Sequence, residues 1–164
     1  MVPGREGSPP DAELMRRAIA AADEGVRAGQ GGPFGAAVAR GGEVLAVACN
    51  RVIARNDPTA HAEIEAIRAA CAKLGTFDLS GCELYATCEP CPMCLAAAWW
   101  ARVDRIVHAC GRADAASAGF DDERFHAEMA KPAAERALPL VPFLREEALP
   151  LFRAWLARTD RTPY

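Results

Sequence analysis

The first part of the chain carries apolar residues at spacings that predict a helix followed by a hairpin of two strands. Two apolar runs, 34–39 and 44–49, flank Gly41-Gly42, and paired glycines between apolar runs are typical of a β-turn. Asp11 is a candidate N-cap, and the glycine-rich stretch 29–33 ends the helix. The predicted helix has these apolar residues at helical spacing: Leu14, Met15, Ala18, Ile19, Ala22 and Val26.

The middle of the chain alternates between helical and extended patterns. An apolar stripe over residues 60–74 predicts a helix that ends at Gly75. Residues 82–87 have the pattern of a third strand, 91–101 that of a helix, and 103–109 that of a fourth strand. Because a strand–helix–strand unit pairs its strands in parallel, these elements predict an α/β fold with helices against a sheet.

The last third of the chain is less regular. We expect a loop over 114–122 and a short helix over 123–130 that ends at Lys131-Pro132. Residues 138–143 are apolar and extended, but their two prolines restrict them to an edge strand at most. A final helix is predicted from about Leu149, with Phe152, Trp155 and Leu156 as its large apolar side chains.

Length and composition favour one domain over residues 11–164, preceded by a disordered segment at 1–10. The chain has 164 residues, of which 51% are hydrophobic and 25% charged, as in ordinary soluble proteins. The opening residues lack the apolar run of a signal peptide or membrane span. Seven cysteines, an odd number, favour a reducing cytoplasm over a disulfide framework. A net charge of −3 favours a small-molecule substrate over a nucleic-acid partner.

The stretch Thr87–Cys94 contains the strongest chemical signal in the sequence. Cys91 and Cys94 are spaced C-x2-C, which lets both sulfurs reach one metal ion. The prolines beside them are suited to the start of a helix, and a helix N-terminus favours the thiolate form of cysteine. With His61 as a third ligand, two thiolates and one imidazole would leave one position of a zinc ion open for water. An open position is characteristic of catalytic sites.

The same cysteines are compatible with a closed structural zinc site. Cys88 repeats the C-x2-C spacing with Cys91 and could supply a fourth ligand, although we expect it to end a strand before the helix begins. The carboxylate of Glu63 favours the catalytic alternative. It forms the pattern H-x-E with His61, and this pattern followed by P-C-x2-C is the signature of the zinc deaminases. In those enzymes the glutamate is the general acid and base and does not bind the metal.

Two further histidines compete with His61 for the role of metal ligand. His126-Ala127-Glu128 repeats H-x-E at nearly the same distance on the other side of the cysteines, so spacing alone does not decide between them. The turn signal Asp57-Pro58-Thr59 places His61 in the first turn of a helix, whereas His126 is expected on a solvated helix face. His108, near the end of a strand, is expected to be structural.

With these motifs in place, the sequence resembles the cytidine-deaminase-like superfamily of zinc deaminases. The resemblance rests on residues 32–36, Asn50, the stretch 57–63 and Thr87–Cys94. It implies a three-layer α/β/α fold with a central mixed sheet of about five strands, and zinc as the cofactor. It also implies a homodimer in which the C-terminal segment, about 131–164, is swapped between subunits and caps the partner's active site.

The later half of the chain is similar to the bacterial guanine deaminase branch of that superfamily. The similar segments are Arg112–Asp122, Lys131–Arg136, Phe152–Trp155 and the terminal Tyr164. This resemblance implies zinc-dependent hydrolysis of guanine to xanthine and ammonia, with Glu63 acting first as base and then as acid. The alternatives are a transfer-RNA adenosine deaminase, which shares the metal motifs, another nucleobase or nucleoside deaminase, and a non-catalytic protein with a structural zinc.

The resemblance also implies a set of substrate contacts. Its members are Asn50, Ala62 through its backbone, Asp122, Tyr164, Phe34 and Trp100. Several have a plain structural alternative: Asn50 could be a turn residue, Asp122 a helix cap, and the two aromatic residues part of the core. The tail that carries Tyr164 could equally be disordered. Glu146 and Glu147 are expected to be surface residues.

Overall fold

The computed structural model describes residues 9–164, so residues 1–8 of the segment expected to be disordered lie outside the described residues. The chain divides into two compact units, Met1–His126 and Ala127–Tyr164. One domain over 11–164 therefore stays a prediction. Among residues 9–164, no helix is both long enough and apolar enough to span a bilayer.

Helices and strands are interspersed along the first unit. Its elements are α1 (Ala12–Arg27), β1 (Gly35–Arg40), β2 (Glu43–Cys49), α2 (Val52–Arg55), α3 (Ala62–Leu74), β3 (Cys82–Cys88), α4 (Pro92–Trp100), β4 (Arg105–Cys110), α5 (Arg112–Ser117) and the beginning of α6 (Asp122–Ala130). The second unit contains a short 3₁₀ helix, Ala133–Glu135, and α7, Arg145–Ala157.

The strands form one mixed sheet in the order β2-β1-β3-β4. β1 pairs antiparallel with both β2 and β3, and β3 pairs parallel with β4. The predicted hairpin is confirmed, because Gly41 and Gly42 join β1 to β2 with φ of 56° and 86°, a region that favours glycine. The strand–helix–strand unit β3-α4-β4 likewise has the parallel pairing that its sequence pattern predicts.

Helices cover both faces of the sheet, which gives the predicted three-layer α/β/α arrangement. On one face, Ala37, Ala39 and Tyr85 pack with residues of α1. On the other face, Val38 and Leu84 pack with the buried side chains of α3 and α4. Successive residues of β1 therefore enter opposite layers, as expected for a central strand with both faces buried. The fold class is confirmed.

The sheet has four strands among the described residues, and the expectation of about five is corrected here. Residues 138–143, the candidate edge strand, are assigned to no strand. Two of these six residues are prolines, which have no backbone N–H and cannot donate to a strand ladder. The stretch instead precedes α7 without regular secondary structure, and α7 begins at Arg145, four residues earlier than the sequence predicts.

Two short helices occur where the sequence analysis predicted none. Residues 112–117, which include the first part of the expected loop 114–122, form α5, whose start is held because the Asp114 carboxylate accepts the Gly111 N–H at 2.8 Å. α2 follows the second strand directly. Both helices are too short to contain the repeated apolar residues from which a helix is predicted in a sequence.

Candidate active site

The start of α3 brings His61 and Glu63 to one end of the sheet. His61 is the N-cap of this helix, immediately before its first turn, and its carbonyl accepts the Glu65 N–H at 3.0 Å. The preceding turn is fixed by Asp57, whose carboxylate accepts the N–H and the hydroxyl of Thr59 at 2.8 and 2.7 Å. The imidazole and the Glu63 carboxyl group thus have fixed starting points two residues apart.

The start of α4 brings two cysteines to the same place. Cys91 is the N-cap, Pro92 follows at the first helical position, and Cys94 lies in the first turn. The Cys91 carbonyl accepts the Leu95 N–H at 2.9 Å, so the helix begins directly after the cysteine. The start of α4 follows β3, which ends at Cys88 as the sequence predicts.

His61, Cys91 and Cys94 form a group whose ligand atoms all lie within 4.8 Å of one another. The nearest imidazole atom is Nδ1, at 3.7 Å from the Cys91 Sγ and 3.5 Å from the Cys94 Sγ. In a tetrahedral zinc site, bonds of about 2.0–2.1 Å to nitrogen and about 2.3 Å to sulfur separate the two ligand atoms by about 3.5 Å. The group therefore fits a zinc ion bound through Nδ1 and two sulfurs.

The ionisation of the two thiols also fits a cation site. Hydrogen bonds from Cys94 and from His61 hold the pKa of Cys91 at about 4, far below its usual value. The pKa of Cys94 is raised, first by its hydrogen bond to Cys91 and then by burial. A second buried thiolate beside the first needs a compensating positive charge, and a divalent cation would provide it.

Cys88 is placed differently from the other two cysteines. It does not belong to the group of ligand atoms found among the described residues. Its thiol donates to the Gly111 carbonyl at 3.4 Å, and burial raises the pKa of this thiol to about 11. With its sulfur outside that group and its thiol bonded to a carbonyl, Cys88 is not placed to be a fourth metal ligand.

Glu63 is an 8% exposed carboxyl group in the first turn of α3. Burial is the main cause that raises the pKa of this carboxyl group above its usual range. A buried carboxyl group with a raised pKa, adjacent to a candidate metal centre, is a candidate general acid and base.

A cavity of about 450 Å³ opens onto His61, Cys91 and Glu63. This volume lies within the roughly 300–1,000 Å³ that is typical of sites for small molecules. Its remaining lining residues are Gly31, Gly32, Phe34, Asn50, Val52, Ile53, Pro58, Cys88, Glu89, Phe120 and Asp122. The cavity therefore joins the candidate metal ligands to three of the predicted substrate contacts, Phe34, Asn50 and Asp122.

Asn50 is a polar residue of the cavity wall and is 6% exposed. Its Oδ1 accepts the N–H groups of Gly32 and Val52 at 3.3 and 3.1 Å, which fixes the orientation of the side-chain amide. The Nδ2 amino group is the end left for a ligand. Gly31 allows the close approach of the chain, because a Cβ there would lie 2.1 Å from the Asn50 Oδ1.

The sequence analysis missed a second aromatic residue in the wall, Phe120. Its ring packs edge-on against that of Phe34, with centroids 4.7 Å apart and an interplanar angle of 76°. Gly32 lies beside both rings, and a Cβ there would approach Phe120 to 3.0 Å. Phe120 precedes Asp122 in the segment expected to be a loop, so only the neighbouring candidate contact marked it.

Asp122 begins α6, and burial raises the pKa of its carboxyl group. His126 lies one turn further along the same helix, and its Nε2 is buried without a hydrogen-bond partner, so it is not on the fully solvated face expected for it. Neither His126 nor His108 belongs to the group of metal-ligand atoms among the described residues. The His108 Nδ1 lies 2.9 Å from the Cys110 carbonyl.

Three predicted contacts, Ala62, Trp100 and Tyr164, are not among the residues that line the cavity. The backbone of Ala62 lies between His61 and Glu63, in the first turn of α3. Trp100 is the last residue of α4, is 64% exposed and is absent from the lining of the cavity. Tyr164 is 69% exposed in the second unit. Contacts from these two aromatic residues stay predictions. Glu146 and Glu147 are exposed in the first turn of α7.

Comparison with known families identifies the class to which this fold and site belong. Residues 8–110 match the family model described as the cytidine and deoxycytidylate deaminase zinc-binding region. The matched range contains the whole sheet and all three members of the His–Cys–Cys group. The class is therefore that of the zinc-binding deaminases.

Comparison with individual relatives indicates which branch of the zinc-binding deaminases this chain resembles. The guanine deaminase of Bacillus subtilis (strain 168) is 47% identical over 151 residues, covering 92% of this chain and 97% of the relative. An X-ray structure of a Bacillus subtilis guanine deaminase superposes with a TM-score of 0.89 at 46% identity, covering 95% of this chain and 99% of that one. A guanine deaminase from Nitrosomonas europaea gives a TM-score of 0.65 at 31% identity, over 92% and 88% of the two chains.

The transfer-RNA branch matches a smaller part of the chain. A tRNA-specific adenosine deaminase of Aquifex aeolicus is 47% identical over 75 residues, which are 46% of this chain and 50% of the relative. The guanine deaminases, in contrast, match nearly from end to end. The chain belongs to the guanine deaminase family.

Proposed function

We propose that the protein is a zinc-dependent guanine deaminase that hydrolyses guanine to xanthine and ammonia. The observation that carries this proposal is a cavity lined by the buried Glu63 and by His61 and Cys91, two members of the candidate metal group. It is supported by the 47% identity to a guanine deaminase over 92% of the chain. In the reaction a C–O bond forms and the C–N bond to the exocyclic amine breaks, both at carbon 2 of the base.

His61, Cys91 and Cys94 are proposed to hold the zinc ion, and Glu63 is proposed as the general acid and base. When bound, zinc supplies Lewis-acid activation that brings the pKa of water to roughly 7. The Glu63 carboxylate takes the proton of the attacking water and delivers it to ring nitrogen 3 of guanine. The Glu63 carboxylate, now deprotonated, then takes the proton of the hydroxyl group on carbon 2 and gives it to the departing amine, which leaves as ammonia while the carbon 2 carbonyl of xanthine forms.

The base is proposed to lie between the polar and aromatic walls of the cavity. The Asn50 Nδ2, whose partner oxygen is already bonded to the backbone, donates to an acceptor on the edge of the purine. The Ala62 N–H is in the first turn of α3, where backbone donors lack helical partners, and it is available to the base. Asp122 accepts from purine N–H groups, and the Phe34–Phe120 pair excludes water.

The protein is further proposed to be a homodimer in which the C-terminal segment, about 131–164, extends to the other copy. The second unit exposes large apolar side chains that a soluble chain ordinarily covers. These are Leu138, Leu140, Val141, Phe143, Leu151, Phe152 and Leu156. In this arrangement Tyr164 reaches the partner's cavity, and Trp100 contributes across the same interface.

A cytoplasmic location is proposed from the cysteine chemistry. All seven cysteines are free thiols, and two of them belong to the candidate zinc group. Thiolate metal ligands persist in a reducing compartment. No nucleic-acid or membrane partner is part of the proposal.

A substrate panel with the purified, zinc-loaded protein tests the proposal. Guanine, adenine, cytosine, their nucleosides and a transfer-RNA substrate are compared by ammonia release, and the product from guanine is identified by its absorbance spectrum. We expect rapid conversion of guanine to xanthine. Deamination of the transfer-RNA adenosine without turnover of guanine would overturn the proposal, and so would the absence of any deamination.

A further inference from the structure

A second buried carboxylate, Glu65, lies two residues after Glu63 and has no part in the proposed chemistry. Its side chain is 8% exposed. Arg55 binds it with both arms of the guanidinium group, Nη1 to Oε1 at 2.9 Å and Nη2 to Oε2 at 2.9 Å. Arg68, on the next turn of the same helix, adds a weaker contact at 3.3 Å. The two-armed bond to Arg55 is therefore the main compensation for the buried charge.

Arg55 comes from α2, the wall of the cavity that faces α3. This helix is a single turn of four residues without a buried side chain. One turn is not stable by itself, because the first turn of a helix fixes several residues for one hydrogen bond. Two of its residues, Val52 and Ile53, line the cavity.

Because α2 buries no side chain, it is held by polar contacts and not by a hydrophobic core. The Val52 N–H donates to the Asn50 Oδ1 at 3.1 Å, and the Ala54 N–H donates to the Gln30 carbonyl at 2.9 Å. Both of these contacts tie α2 to the loops around it. The Arg55–Glu65 pair ties it to α3, whose first turn begins beside His61 and contains Glu63.

We propose that the Arg55–Glu65 ion pair is a positioning device that holds the Val52–Ile53 wall against the helix turn carrying His61 and Glu63. This inference rests on the proposed function. Neither residue touches the reacting atoms, so the pair acts through the shape of the cavity. A planar guanidinium bonded through two nitrogens fixes both distance and angle, which a lysine ammonium does not.

The first test compares Arg55→Gln with the matched control Arg68→Gln. Both variants remove a positive partner of Glu65, but Arg68 lies on α3 itself and does not reach α2. We expect Arg55→Gln to raise KM for guanine by about tenfold with kcat within about twofold, since the wall contributes binding rather than proton transfer. Arg68→Gln should leave KM within about twofold. Equal changes in the two variants would overturn the proposal.

A double variant separates positioning from stability. Arg55→Gln strands a buried carboxylate and should lower the melting temperature. Adding Glu65→Gln removes the stranded charge, so the melting temperature should recover while KM stays high. Arg55→Lys should give a KM between those of the unaltered protein and Arg55→Gln. Recovery of KM together with stability would mean that the pair only stabilises the fold, and the proposal would fail.

Hydrogen exchange of the zinc-loaded protein provides a measurement that does not depend on turnover. Amides of residues 51–56 should exchange faster in Arg55→Gln than in Arg68→Gln, with equal zinc content in both. If the unaltered protein does not deaminate guanine, the proposed function falls, while exchange still decides whether the pair holds the wall. Equal exchange in the two variants would overturn the positioning role.

Discussion

Three cysteines lie within seven residues of one another, yet their surroundings give them different chemistry. Cys91 and Cys94 lie at a helix start beside the His61 Nδ1, and the pKa of Cys91 is held at about 4. Cys88 lies at the end of a strand, bonded to a carbonyl, with its pKa raised to about 11. The group that could hold a metal ion therefore contains Cys91, Cys94 and His61, and Cys88 is not part of it.

Metal content of two serine variants tests this difference. We expect Cys91→Ser to lose zinc, because a serine hydroxyl is not deprotonated as the thiol is and does not replace the lost sulfur ligand. Cys88→Ser should keep one zinc per chain, since it removes only a hydrogen bond to a carbonyl. Zinc is measured by elemental analysis after dialysis. Loss of zinc from Cys88→Ser would instead favour a closed structural site.

The two ends of the Asn50 amide can be tested separately. Asn50→Asp keeps an oxygen for the Gly32 and Val52 N–H groups but has no amide donor for the base. We expect near-normal stability and a rise in KM for guanine of about 10–100-fold, from the lost donor and the added charge. Asn50→Ala should lower stability as well. If Asn50→Asp binds guanine normally, Asn50 is a turn residue and not a substrate contact.

Residue-scale prediction from the sequence depended on how local each signal is. The C-x2-C and H-x-E patterns indicated His61, Cys91 and Cys94 because each pattern lies within one helix start. The Arg55–Glu65 pair joins two different helices, and the Phe34–Phe120 contact joins residues that are distant in sequence. Neither has a characteristic spacing, so only the folded chain shows them.

At the scale of elements, the central strands and the long helices were predictable and the short helices were not. β1 has a burial pattern of five buried residues followed by one exposed residue, which gives a continuous apolar run. α2 and α5 have four and six residues, too few for an apolar period, and they are held by side-chain bonds. Because individual side-chain bonds hold these two helices, we expect single substitutions to destabilise them.

α5 provides a test of such a bond. The Asp114 carboxylate accepts the Gly111 N–H at 2.8 Å, and Asp114→Ala removes this acceptor. We expect the free energy of unfolding to fall by about 1 kcal/mol, the usual cost of losing a cap, with zinc content unchanged. Urea denaturation measures it. Glu24→Ala, at an exposed position within α1, is the control and should change stability by less than about 0.5 kcal/mol. Equal stability of the two variants would contradict the capping role.

At the scale of the whole molecule, the open question is what covers the second unit. The structure describes all of helix α7, which has no buried residue and contains Pro150. Its apolar side chains need a covering surface, and the proposed homodimer supplies one from the other copy. From the sequence, exchange of this segment is implied only by the family resemblance, because a partner leaves no periodic pattern in a single chain, and the exchange stays a prediction.

Deleting residues 161–164 tests whether the tail completes an active site. We expect zinc content and melting temperature to change little, while guanine turnover falls sharply with the loss of Tyr164. Mixing the truncated chain with full-length Glu63→Ala under subunit-exchange conditions should restore some activity, because an intact tail then meets an intact Glu63. A harmless truncation would remove the tail from the site. A harmful truncation without recovery on mixing would mean that each tail serves its own subunit.

The most direct test of the account is xanthine formation by Glu63→Gln, with Glu128→Gln as the matched control from the second H-x-E sequence. Zinc content and xanthine production from guanine are measured on the same samples. We predict one zinc per chain in both variants, near-normal turnover in Glu128→Gln, and a loss of about 10²–10⁴-fold or more in Glu63→Gln, where one carboxyl group handles every proton transfer. Near-normal xanthine production by zinc-loaded Glu63→Gln would contradict the account.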